Sequence, residues 1–206
     1  MSDDGPTRLD RPSGVVSAPG VPPDVVRTSR LILTRSCPED VDDLTDAVDA
    51  SLDELAPWMP WAQDPQGTRE GTAAFLAETF CKWDAGEEFT YTLRSAEISE
   101  VVGHVGLIAR IGPGALEIGY WIHSAHAGRG FATEAARALT ETGLGLAGID
   151  RTEIHCDEGN VRSARVARGL GYALSETRAY EGDTPGDTGW QQIWTMHRQQ
   201  FDAQPS

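Results

Sequence analysis

Basic residues are scarce in this chain: 17 Lys and Arg stand against 32 Asp and Glu, a formal net charge of −15. A summed field of that sign repels phosphate, so neither nucleic acid nor an anionic membrane surface is an expected partner. Any anionic ligand would have to be met by a local patch of cations. Long apolar runs are missing too, and no stretch reaches the roughly 20 residues that a membrane-spanning helix requires. Met1-Ser2-Asp3-Asp4-Gly5 is acidic and has no apolar signal core, so export is not expected. Cysteine is sparse: Cys37, Cys81 and Cys156 are widely spaced and form no metal-ligand pattern. Buried thiols in a reducing cytoplasm, and no metal, are the simplest expectation. There is no internal repeat, and 206 residues fit one domain with a full core.

Pro6, Pro12, Pro19, Pro22 and Pro23 fall among Gly, Ser and Asp with no periodicity. Such a segment buries too little apolar surface to offset its ordering entropy. Residues 1–24 are therefore expected to be a disordered tail, 25–200 the folded domain and 201–206 a C-terminal tail. Arg30 to Arg35 reads as the first strand. Pro38, Glu39 and Asp40 make a good first helical turn, which Val41, Leu44, Val48, Leu52 and Leu55 continue at helical spacing. The break comes at Ala56-Pro57-Trp58-Met59-Pro60-Trp61, a proline-stiffened loop that fits either a plug over the core or a pocket wall.

A second helix is predicted from about Thr68, with Phe75, Leu76, Thr79, Phe80 and Trp83 on its buried face. Phe89, Tyr91 and Leu93 alternate with Thr90 and Thr92 as a strand. Val101 to Ile111 is apolar on both faces and reads as a central strand. Gly112-Pro113-Gly114 turns it back into Leu116-Glu117-Ile118-Gly119-Tyr120-Trp121-Ile122. A helix over 129–147, a strand at 152–156, a helix over 160–170 and strands near 172–178 and 190–198 complete the chain. Antiparallel strands followed by β-α-β-α-β-β predict an α/β sandwich with a mixed sheet.

The most informative stretch is Ala127-Gly128-Arg129-Gly130-Phe131-Ala132-Thr133, where the strand ending at Ile122 hands over to a helix. Glycines there allow close backbone approach, and the first helical turn leaves N–H groups unpaired at the positive end of the dipole. That is a phosphate-binding geometry; a tight turn with no ligand fits the same residues equally well. A P-loop would need Lys and Ser/Thr where Phe131 and Ala132 stand, and Thr133 occupies the third glycine position of a dinucleotide fingerprint. Further on comes Asn160-Val161-Arg162-Ser163, followed by Leu170-Gly171-Tyr172.

Together these blocks resemble the GNAT N-acetyltransferases. Residues 127–132 are similar to the family's acyl-CoA cradle, Gln/Arg-x-x-Gly-x-Gly/Ala, with Gly130 and Ala132 in place and Ala127 where Gln or Arg is usual. Residues 160–172 are similar to its N-x-x-S…L-G-(Phe/Tyr) block. With Leu116 to Trp121 and Thr133-Glu134-Ala135, the likeness runs from about Thr28 to Gln200 and is strongest to the RimJ/RimL branch. It implies the GNAT fold, a mostly antiparallel mixed sheet of about seven strands flanked by about four helices. It implies acetyl-CoA as co-substrate, with Ile122, His123, residues 127–133, Asn160 and Ser163 as its binding residues. The acceptor would be a protein N-terminal amine or a small-molecule amine, and the chain a monomer or homodimer.

Direct acyl transfer from a thioester to an amine needs alignment, a proton acceptor and a way to reprotonate the thiolate, but no covalent nucleophile. Glu117 is the candidate base, because a carboxylate in an apolar strand is partly removed from water; an ion-paired strand carboxylate is its other reading. His123 and His126 flank the cradle and compete for the role. By resemblance, Ser163 is the proton donor to the sulfur. Arg129, Arg165 and Arg168 are the candidate phosphate cations, although Arg162, Arg165 and Arg168 also fit an ordinary solvated helix face. Trp58, Trp61, Asp183 and Asp187 would give an acceptor pocket aromatic walls and acidic rims, suited to a cationic amine. Because Ala127 departs from the cradle pattern, a non-catalytic acyl-CoA sensor or partner module is the rival reading.

Overall fold

The computed structural model describes residues 20–63 and 68–203. Residues 1–19 of the expected Pro-rich tail and 204–206 of the expected C-terminal tail lie outside the described residues. Residues 23 and 24 already contact the domain: Pro23 O accepts from Tyr91 Oη (2.9 Å) and Asp24 O from Arg35 N (2.7 Å).

Among the described residues eight strands build one sheet: β1 (Val25–Arg27), β2 (Leu31–Arg35), β3 (Glu88–Ser95), β4 (Val101–Ile108), β5 (Ala115–Ile122), β6 (Arg151–Asp157), β7 (Ala173–Ala179) and β8 (Trp190–His197). Their order is β1-β2-β3-β4-β5-β6-β8-β7. Every neighbouring pair is antiparallel except β5 and β6. The sheet is one strand wider than the family resemblance implied, the addition being the three-residue β1. β4 ends at Ile108 rather than near Ile111: its last pair with β3 is Glu88↔Ile108, followed by one further bond from Ala109 N to Glu87 O (2.9 Å).

Among the described residues six helices flank it: α1 (Val41–Asp49), α2 (Leu52–Leu55), α3 (Arg69–Asp84), α4 (Phe131–Gly145), α5 (Val161–Gly169) and α6 (Arg198–Asp202). The single helix expected over residues 38–55 is thus divided. Residues 38–40 form a 3₁₀ turn, and the α-helix stops at Asp49 because Ser51 leaves helical geometry (φ −123°, ψ 2°). Ser51 is wholly buried, its Oγ donating to Ala47 O (2.7 Å). On α3, Leu76, Thr79 and Trp83 are buried as expected, but Phe75 and Phe80 are not. Phe80 lies against the Arg35 guanidinium, 4.2 Å from its ring centroid, and Phe75 meets the edge of His104 at 5.4 Å. Both rings find partners at the helix margin instead of the core.

Two apolar clusters hold these layers together. The larger joins α4 and α5 to the sheet through Phe131, Ala135, Leu139 and Ala167 packed with Leu107, Leu116, Ile118 and Ile154. Gly143 lets α4 come close; a Cβ there would sit 3.2 Å from both Leu107 and Thr152 side chains. The smaller joins α1, α2 and α3 to Val101 and Trp121. Among the described residues no helix is long and apolar enough to cross a membrane.

Two long-range contacts fix the segment between β5 and α4. Ser51 Oγ accepts from Ser124 N (3.0 Å), while Ser124 Oγ donates to Ala50 O (2.7 Å). Glu134, in the first turn of α4, accepts from Thr28 Oγ1 (2.5 Å), Arg30 N (2.9 Å) and Arg30 Nε (2.7 Å). Burial pushes the Glu134 carboxyl up, but the hydrogen bonds from Thr28, Arg30 and Ser29 outweigh it and hold it below its ordinary 4.5.

Ser51→Ala strands the Ser124 amide and is expected to destabilise the fold by about 1–3 kcal/mol, read from urea unfolding. A depressed carboxyl pKa adds stability above the unfolded value that is lost as pH falls through the folded one. Melting temperature is therefore expected to fall on acidification below about pH 4.5. Glu134→Gln should lower it at neutral pH and flatten that acid branch.

Candidate active site

Pairing between β5 and β6 is brief. The parallel register holds at Ala115↔Arg151, Leu116↔Thr152 and Glu117↔Glu153, and there it ends. Beyond that point β5 stays paired to β4 and β6 to β8, so each strand is supported from its far side while the edges between them part. The parted edge of β5, Ile118 to Ile122, presents unpaired backbone groups to the opening. Side chains alternate along it. Glu117, Gly119 and Trp121 lie on the face of α1 and α2; Ile118, Tyr120 and Ile122 lie on the face of α4 and α5.

The chain leaves β5 at Ile122 directly into the glycine-containing turn. His123 Nδ1 accepts from Ala125 N (3.1 Å), and a short 3₁₀ turn covers Ser124–His126. Gly128 (φ +75°) and Gly130 (φ +80°) are both left-handed, the conformation for which glycine is needed. A Cβ at Gly128 would meet nothing within 4 Å, and residues 127–130 are exposed. The first backbone bond into α4 is Glu134 N to Gly130 O (3.1 Å). Among the described residues the amides of 128–133 have no protein acceptor.

Cations surround this concavity. Arg129 Nη1 donates to His126 Nδ1 (3.0 Å), and its guanidinium lies 5.0 Å from the Phe131 centroid. Burial, aided by the nearby charges of His123 and Arg129, lowers the His126 pKa against the pull of Glu100, so this ring stays a neutral acceptor. Arg30 was not foreseen. It donates to Arg129 O (2.9 Å), pairs with Glu134 (2.6 Å) and lies 4.9 Å from the Phe131 centroid. Ala127 brings no polar group, and Arg30 approaches the turn from the link between β1 and β2. Arg165 is exposed on α5, whereas Arg168 turns back over the Trp194 ring at 5.4 Å.

On the α4–α5 face, Asn160 Oδ1 caps α5 by accepting from Ser163 N (3.1 Å). Ser163 Oγ lies 2.9 Å from Tyr120 Oη. Burial raises the Tyr120 phenol, partly offset by that bond, and likewise raises the Cys156 thiol beside Ser163 and Trp194. Tyr120 was legible only as a strand aromatic; its pairing with Ser163 links residues 43 apart.

Glu117 belongs to the opposite face. It is buried, and Arg110 grips it in bidentate fashion, Nη2 to Oε1 at 2.6 Å and Nε to Oε2 at 2.8 Å. Of its two sequence readings, the ion pair is present. His155 Nδ1 stands 3.7 Å from Oε2, and its Nε2 is 2.7 Å from Glu153 Oε2. On this face Trp61 packs against Trp121 with centroids 6.1 Å apart. Pro57 O accepts from both Thr184 Oγ1 (2.6 Å) and Gly186 N (3.0 Å), joining the 57–61 loop to the 181–189 loop. Trp58 is half-buried in the first loop, and Asp183 is exposed in the second. Asp187 Oδ2 accepts from the amides of Asp183 and Thr184 (both 2.8 Å), so its carboxylate shapes the turn. Ser163 and Glu117 therefore do not touch; they flank the opening from opposite faces. Among the described residues no cluster of His, Cys, Asp or Glu could hold a metal.

The profile of the acetyltransferase (GNAT) domain matches residues 30–173. One relative, the uncharacterized N-acetyltransferase YnaD of Bacillus subtilis (strain 168), is 30% identical over 109 residues, 52% of this chain and 62% of that protein. The chain thus spans less than two thirds of that relative's length. Two solved structures share the fold. RimL, a ribosomal L7/L12 alpha-N-protein acetyltransferase in complex with coenzyme A, superposes with a TM-score of 0.76 at 22% identity, covering 84% of this chain and 97% of that one. The microcin C7 self immunity acetyltransferase MccE, in complex with acetyl-CoA and AMP, gives 0.75 at 17% identity, covering 82% and 93%.

Proposed function

The chain belongs to the acetyltransferase (GNAT) family; from that premise we propose that it is an acyltransferase, an acetyl-CoA-dependent N-acetyltransferase acting on a primary amine by direct attack. One observation carries the reading: the free edge of β5 runs without interruption into the exposed, unpartnered amides of 128–133. Those amides, with Arg129 and Arg30, fit a diphosphate at a helix N-terminus. The edge from Ile118 to Ile122 fits an amide-bearing arm lying along it as an extra strand would. His123 at its end and Asn160 across the opening complete the contacts, with Arg165 for more distant phosphate.

Acetyl-CoA supplies an acyl thioester at the place where the strands part. Glu117 receives the ammonium of the acceptor and draws off its proton, directly or through a water. Ser163, hydrogen-bonded to Tyr120, returns a proton to the departing sulfur from the other face. Trp58, Trp61 and Asp183 form the acceptor wall, where aromatic faces and acidic groups favour a cation. The resemblance to the RimJ/RimL branch favours a protein N-terminal amine. The acidic, aromatic wall is equally compatible with a small-molecule amine, which stands as the second class.

Acetyl-CoA is expected to raise the melting temperature more than adenosine nucleotides do, since only native protein binds it. Thiol release across a panel of N-terminal peptides and small amines then identifies the acceptor class. With the best acceptor, Glu117→Gln should lower kcat by about 10²-fold or more. Stabilisation by acetyl-CoA with no turnover on any amine would instead mark a sensor module.

A further inference from the structure

Five charged or titratable side chains form one row across the base of the opening: Arg110, Glu117, His155, Glu153 and Arg151. Arg151 Nε donates to Glu153 Oε1 at 2.7 Å, and His155 Nε2 lies 2.7 Å from Glu153 Oε2. Burial pushes the Glu153 carboxyl up, but His155 and Arg151 more than offset it and hold it below its ordinary value. An ionised carboxylate only accepts, so His155 Nε2 must be the protonated nitrogen. In the neutral ring this leaves the lone pair on Nδ1. No hydrogen bond reaches Nδ1 among the described residues; the group facing it is Glu117 Oε2, 3.7 Å away. Both side chains are 8–9% exposed and lie on the same face, His155 two residues past the last β5–β6 pair.

The acceptor's proton has a poor resting place on Glu117. Both of its oxygens already accept from the Arg110 guanidinium, and a proton placed on either would disrupt a charge-assisted bond. A separation of 3.7 Å is too long for a direct hydrogen bond, yet both atoms can lie about 2.9 Å from one nitrogen seated between them.

Resting on the transferase reading above but moving the proton's destination away from Glu117, which then holds the ammonium, we propose that His155 is the final acceptor of the amine's proton, with Glu153 as its positioning residue. Glu117 Oε2 and His155 Nδ1 take two N–H groups of the incoming ammonium. One N–H bond breaks, its electron pair stays on the amine nitrogen for attack, and the proton forms a bond to Nδ1. Glu117 remains a carboxylate. The row then alternates in charge, positive at Arg110, His155 and Arg151 and negative at Glu117 and Glu153. Across the sheet, β8 sets uncharged Ile193 and Thr195 beside His155 and Glu153.

Two measurements on the full chain test this. Long-range proton–nitrogen NMR of the imidazoles, assigned with His155→Gln, is expected to find neutral His155 protonated at Nε2 and bare at Nδ1; the opposite tautomer overturns the proposal. Glu153→Gln should give a mixture of the two tautomers. In steady-state assays with the best acceptor, His155→Gln is expected to lower kcat about 10²-fold, with the KM for acetyl-CoA changed less than about threefold. A kcat within about threefold of wild type, in a variant still stabilised by acetyl-CoA, overturns it. Wild-type protein that turns over no amine overturns the transferase reading itself, whichever tautomer is found.

Discussion

Parallel pairing that stops after three residues is the constraint on which the rest of the site depends. Glu117 and Glu153 face each other at the last pair, and like charges directly opposite are unfavourable in a sheet. The structure tolerates them because Arg110 and Arg151 each hold one carboxylate and His155 stands between. Past that point the strands diverge without fraying, since β4 and β8 keep their outer ladders intact. The gap opens in the middle of the sheet, where flanking layers hold both lips rigid. It connects a face of hydroxyl groups, Tyr120 and Ser163, with a face of acid–base groups, and chemistry on the two sides can be tuned apart.

The concavity after β5 is shaped from a distance. Its glycines permit the backbone path, but its position is set by Ser51 on one side and by the Arg30–Glu134 pair on the other. Glu134 neutralises part of Arg30 while gathering residues 28–30 under the helix N-terminus. The result is a small region of positive potential in a chain with 15 more acidic than basic residues. A cation recruited from the link between β1 and β2 stands near a turn whose own first residue, Ala127, offers none.

Much of this was legible from the residues alone. The handover from β5 to α4 and the succession of strands and helices along the chain followed from local patterns, because turn chemistry and side-chain period act over a few positions. The division of the first helix was not legible: Leu52 and Leu55 continue the apolar spacing, and only the burial of Ser51 against Ser124 explains the stop. Phe75 and Phe80 were misplaced for a related reason. Helical spacing says which side chains share a side, but not how wide a stripe the neighbouring layer covers. Arg30, Tyr120 and the row through His155 were hidden because their partners are distant in sequence or two strands away. Their meaning depends on which strands lie adjacent, and no local pattern carries that.

The loops at residues 57–61 and 181–189 meet at a single carbonyl oxygen, that of Pro57. Among the described residues neither loop hydrogen-bonds the glycine turn, and the second reaches toward the α5 cap only as far as Asp157, which accepts from Thr188 N (2.8 Å) and Thr188 Oγ1 (3.0 Å). Under the proposed reaction, the turn and the α5 cap form a handle for one reactant and the two loops a jaw for the other. Lengthening or shortening either loop would then re-cut the jaw while the handle kept its shape, so descendants of such a chain could change what they modify without relearning how to carry the acetyl group.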